Sequence, residues 1–118
     1  MNSNESEVKS KLFLSKNLNF NDFKLSQTQL FVNEILNYNK KYNLISKNSE
    51  KYIWTRHVLD SAQLIKYINT KKFKSLSDLG TGAGFPGIMI SIFFSDILTF
   101  HVKLYEKSKI KIKFIRSV

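Results

Sequence analysis

The chain has 118 residues, no cysteine and a formal charge of +10. That length bounds it to one small domain with a modest core, and the lack of cysteine excludes a disulfide framework and suits a reducing cytoplasm. The N-terminus lacks an apolar signal region, and the longest apolar run, around Ile88 to Phe94, is far short of a membrane span. A soluble cytoplasmic protein with no membrane partner is expected.

The charge favours a polyanionic partner, because each basic side chain beside a phosphate releases condensed counterions. Nearly every basic residue is lysine, however, and the chain is crowded with Asn, Ile and Phe, the profile of an AT-rich genome. Charge alone therefore leaves RNA binding open.

Residues 1–25 show no sustained period and predict a frayed tail with a short amphipathic piece around Lys11 to Leu18. Ser26 followed by Gln29 has the spacing of a capping box, and Phe31, Ile35, Tyr38 and Tyr42 then recur on one helical face, a stripe that reads as core. A polar break from Ser46 to Ser49 precedes a second helix, from about Glu50 to Ile68, with Trp54, Val58, Ile65 and Ile68 inward. Lys71 to Lys74 forms a basic linker, which divides a helical region, 1–70, from an α/β region, 71–118. Ser75 to Leu79 reads as a strand, Pro86 stands where a helix begins, Ile88 to Phe94 reads as a buried helix, and Phe100 to Glu106 alternates like a second strand. Ser108 to Val118 fits either helix or strand by pattern. The βαβα logic of a parallel sheet selects helix.

All four glycines and the single proline fall in one octapeptide, Gly80 to Gly87, between the first strand and the following helix. Glycine permits positive φ and close approach of a ligand to the backbone, so such a cluster at a strand-to-helix junction points to a cofactor loop. Asp78 followed by Gly80, Gly82 and Gly84 resembles motif I of class I methyltransferases, whose loop holds S-adenosylmethionine (SAM). Gly82, Gly84 and Gly87 also match the dinucleotide spacing, so both cofactors stay open on the loop alone. Glu106, about 20 residues further on, stands where an acidic side chain accepts hydrogen bonds from ribose hydroxyls in nucleoside-binding α/β folds. No metal site is expected.

Three ordered words, Asn39 to Leu44 (NKKYNL), Arg56 to Ser61 (RHVLDS) and Asp78 to Ile88 (DLGTGAGFPGI), resemble the N-terminal half of the RsmG (GidB) family, bacterial 16S rRNA guanine-N7 methyltransferases. The similarity runs from about Leu25 to Val118, and Lys113 to Arg116 resembles the family's basic-aromatic segment. The resemblance implies an incomplete class I SAM-dependent methyltransferase fold, α/β and Rossmann-like, with helices followed by the first two βα units. It implies SAM as cofactor, held by Asp78, Gly80, Gly82, Gly84, Phe85 and Glu106. Arg56, His57 and Asp60 match a word that packs beside the cofactor pocket and are the catalytic candidates, although His57 also reads as a hydrogen-bonded structural residue. Met89 departs from the proline common after Gly-Ile, and the proline usual before the second strand is missing.

The implied partner is 16S rRNA or a small-subunit assembly intermediate, and the complete protein is expected to be a monomer. Because relatives continue through further strands, the chain reads as a truncated or remnant enzyme with an open apolar edge, expected to bind SAM weakly or not at all and to be inactive alone. A non-catalytic rRNA-binding remnant and a dinucleotide-dependent oxidoreductase are the alternatives.

Overall fold

A computed structural model describes residues 2–118. Its sheet consists of two parallel strands, β1 (Ser75–Leu79) and β2 (His101–Tyr105), paired in register from Ser75 opposite His101 to Leu79 opposite Tyr105. Helix α5 (Gly87–Phe93) joins them and α6 (Lys109–Ser117) follows, so the βαβα order expected from the pattern is present. The ambiguous C-terminal stretch is helical because Ser108 caps it, accepting from the Lys111 amide, and its apolar face turns Phe114 wholly inward.

Helices α1 (Ser3–Asn17), α2 (Asp22–Asn39), α3 (Lys47–Lys51) and α4 (Asp60–Ala62) precede the sheet. One cluster of buried side chains links these helices to the α/β part: Leu14, Phe31, Ile35, Trp54 and Val58 join Met89, Ile90 and Phe114. Burial of each large apolar side chain contributes about 1.5–3 kcal/mol. The Phe114 ring meets Tyr38 of α2 at 5.1 Å between centroids.

Several expectations for the helices need correction. Residues 3–17 form a helix rather than a frayed tail: Asn2 caps it by accepting from the Glu5 amide, and its inward face is Ser6, Ser10 and Leu14. Small hydroxyl residues give no apolar period, yet they let the helix approach closely, and Ser6 Oγ donates to Thr55 Oγ1 at 3.3 Å. The next helix starts at Asp22, not Ser26, because the Asn21 side chain accepts from the Lys24 amide at 2.8 Å. That helix closes at Asn39, so Tyr42 lies past its end and stacks back on Tyr38.

The helix expected from Glu50 to Ile68 is broken into a short α turn, a π-helical segment Trp54–Leu59, α4, and a 3-10 segment Gln63–Tyr67. Three of its four expected inward residues, Trp54, Val58 and Ile65, are nonetheless buried, and Ile68 is half-buried against the same core. The sheet keeps the expected open edge, since β1 pairs with β2 alone among the described residues, but its uncovered face is largely polar. Ser75, Ser77, His101 and Lys103 share its uncovered face, and only Leu79 and Tyr105 add apolar surface there. No helix among the described residues is long and apolar enough to cross a membrane.

Candidate functional site

The glycine loop leaves the C-terminal end of β1 and is tied down from both sides. The amides of Gly80 and Thr81 donate to the Tyr105 carbonyl at the end of β2, at 2.8 and 3.0 Å. Asp78, the fourth residue of β1, accepts at Oδ2 from the Thr81 hydroxyl and from the Gly87 amide. One carboxylate thus joins the start of the loop to the first turn of α5, and fixes its shape before any ligand arrives.

Gly80, Gly82 and Gly84 all have positive φ, at 71°, 60° and 108°. Two of them differ in what a side chain would meet. A Cβ on Gly82 would find nothing within 4 Å, so the space beside it is open, whereas one on Gly84 would strike the Ile88 and Phe31 side chains. Gly82 therefore faces room for a ligand, and Gly84 serves helix packing. Gly87 is also a packing glycine, since a Cβ there would meet Leu104 and Asp78.

Glu106 follows β2 and lies against the loop. Its Oε1 accepts from the Gly82 amide at 2.9 Å, and its Oε2 from the amides of Lys107 and Ser108 at 3.0 and 2.8 Å. The Ser108 amide, then that of Gly82, hold its carboxyl below the usual glutamate range. A carboxylate has about four lone-pair positions, so one acceptor position remains after these three bonds.

Arg56, His57 and Asp60 are brought together at the π-helical turn and the start of α4. The His57 ring stacks on Phe85 of the glycine loop, with centroids 5.1 Å apart and planes 22° apart. Arg56 and Asp60 are exposed, and all three line a cavity of about 430 Å³ whose other wall includes Phe85 and Pro86. Desolvation lowers the His57 pKa, opposed by the nearby Asp60 charge and assisted by Arg56. Its Nε2 is buried with no hydrogen-bond partner among the described residues. No group of three His, Cys, Asp or Glu side chains suited to a metal ion occurs among the described residues.

This strand, loop and acid can now be set against known proteins. The family GidB, rRNA small subunit methyltransferase G, matches residues 24–118. The chain belongs to this family. A ribosomal RNA small subunit methyltransferase G from Rickettsia bellii is 52% identical over 68 residues, covering 58% of this chain and 35% of that relative. The Magnetococcus marinus protein of the same name is 39% identical over 99 residues, covering 84% of this chain and 42% of its own length. A third, from Bartonella henselae, is 42% identical over 88 residues, or 75% and 40%. The chain thus spans about 35–42% of the length of these relatives. No solved structure matches it.

Within this member of the GidB family, the sequence reading missed the partners that shape the site. Thr81 and Gly87 share the Asp78 carboxylate, and the Asp-x-x-Thr spacing was the available signal. Asn39 was quoted only as part of a word. Its side chain accepts from the amides of Leu44 and Ile45 at 2.8 and 3.1 Å and donates to Glu50 at 2.7 Å, so it organises the loop after α2.

Proposed function

We propose that the chain forms the methyl-donor side of a class I SAM-dependent enzyme that methylates N7 of a guanine in 16S rRNA. The observation carrying this reading is the open backbone at Gly80 and Gly82, at the end of β1, with Glu106 from the neighbouring strand bonded to the same loop. Those residues fit the nucleoside end of SAM: the loop offers backbone that a ligand can approach, and Glu106 keeps one acceptor position for a ribose hydroxyl. Membership of a family whose curated relatives are named as small-subunit rRNA methyltransferases supports the RNA substrate. In this reading residues 1–70 are a helical region and residues 71–118 the first part of the Rossmann-like cofactor domain, and the protein works in the cytoplasm.

When bound, SAM supplies an electrophilic methyl group on sulfonium. Guanine N7 presents a lone pair on the major-groove edge and carries no proton at neutral pH, so no general base is required. The work of the protein is placement and exclusion of water. Asp78 fixes the loop, Glu106 orients the ribose, and the Phe85 ring, braced by Phe31 at 5.1 Å and by His57, walls the loop off from the helices.

Substitution of Gly82 tests the cofactor site, since a larger side chain there meets open space in the free protein and only positive φ opposes it. Gly82→Val is expected to abolish SAM binding by calorimetry while leaving the far-UV spectrum largely intact. Equal SAM affinity in the variant would sink the assignment. A remnant that binds rRNA without methylating it is separated by assaying methyl transfer to undermethylated small-subunit rRNA after the family's downstream strands are appended.

A further inference from the structure

The cavity between the π-helical turn and the glycine loop is not used in holding the cofactor as described above. Its volume, about 430 Å³, lies within the ~300–1,000 Å³ usual for small-ligand pockets. Arg56 and Lys66 supply two exposed cations on its wall against one carboxylate, Asp60. Tyr67 also lines it and is 77% exposed, with Lys66 Nζ 5.2 Å from the ring centroid.

An aromatic ring left in water beside a cation contributes little to a core. It does suit a nucleotide, whose base has a face that stacks on an aromatic ring and whose phosphate a cation neutralises. The backbone that presents these groups is irregular, passing from π-helix through α4 to a 3-10 segment within 14 residues, Trp54 to Tyr67. Single π turns within helices are frequent at functional sites. On the loop side, the wall is Phe85 and Pro86, so whatever occupies the cavity lies next to the cofactor loop.

We infer that this cavity holds one unstacked nucleotide of single-stranded RNA, its base on Tyr67 and its phosphate on Arg56 and Lys66. The inference rests on the proposed rRNA substrate, and gives that substrate a place on the helical region beside the methyl donor.

The test pairs two titrations of the 118-residue chain: a short fluorescein-labelled, guanine-containing single-stranded RNA followed by anisotropy, and SAM followed by calorimetry. Both residues lie on the surface, so folding is not at stake, and far-UV spectra check it. Tyr67→Ala is expected to weaken RNA binding by about 5- to 150-fold, the loss of one stacked base, while Tyr67→Phe retains it. Lys66→Ala should lower the slope of log affinity against log salt by about 0.7, one single-strand phosphate contact. SAM affinity should be the same in all three variants. RNA affinity unchanged in Tyr67→Ala, no RNA binding by the unmodified chain, or a parallel loss of SAM affinity would each overturn the inference, the last by assigning the cavity to the cofactor. Tyr67-dependent RNA binding by a chain that ignores SAM would support the cavity and leave the methyl-donor reading to be tested with the downstream strands restored.

Discussion

Glu106 joins two tasks that are separable by experiment. Three backbone amides bind its carboxylate, which locks the end of β2 to the glycine loop, and the remaining acceptor position is the one proposed for ribose. Glu106→Ala is expected to weaken adenosine and S-adenosylhomocysteine alike, roughly ten- to a hundredfold, and to leave methionine unaffected. Equal losses for methionine would show that the variant acts by loosening the loop. His57 gives a second residue-scale test. Burial lowers its pKa below the ordinary 6.5, so the unfolded chain takes up a proton before the folded one does. Its contribution to stability is therefore complete above pH 6.5 and is lost as pH falls through the lowered folded value. Melting temperature should fall between about pH 8 and pH 5, and fall less in His57→Phe, which keeps the stack on Phe85 but cannot titrate. An identical pH slope in the two proteins would contradict this.

Elements were legible in proportion to their apolar periodicity. Strand β1 was read to the residue and α5 to within one, because Met89 and Ile90 are buried between a proline and a polar turn. Helix α1 was missed because its inward face is built from Ser6 and Ser10, which carry no hydrophobic signal and act through close approach to the Trp54 turn. The π turn was invisible too: Trp54 and Val58 keep i, i+4 spacing in the chain whichever helix type they occupy. Ser10 offers an element-scale prediction. Its hydroxyl is buried with no hydrogen-bond partner among the described residues, a cost of about 1 kcal/mol or more, and alanine is the better helix former. Ser10→Ala should raise the melting temperature by about 4 °C. A fall of similar size would mean that the hydroxyl has a partner in solution.

At the scale of the molecule, the site residues were more legible than the scaffold around them. Glycines and carboxylates at a strand end stand out in a sequence, and Asp78 and Glu106 both bond to the glycine segment, through Gly87 and Gly82. The cavity was not legible, because Tyr67 and Lys66 become neighbours of Phe85 only through tertiary packing. Among the described residues β1 pairs with β2 alone and Leu79 is 78% exposed, so the loop is supported from one side. Its shape is nevertheless set by Asp78 and Glu106 within the chain, and weak SAM binding is the expected outcome. All four glycines lie in the loop, which makes their amides a clean reporter even at low affinity. The most direct measurement is a titration of the 118-residue chain, isotope-labelled at glycine, by amide magnetic resonance. SAM should shift the Gly80 and Gly82 signals in a saturable way, with a smaller effect at Gly87, which packs against Leu104 and Asp78 rather than facing open space, and NADH should leave them in place. Four glycine signals unmoved by SAM, or moved equally by NADH, would contradict the assignment of this loop as the methyl-donor site.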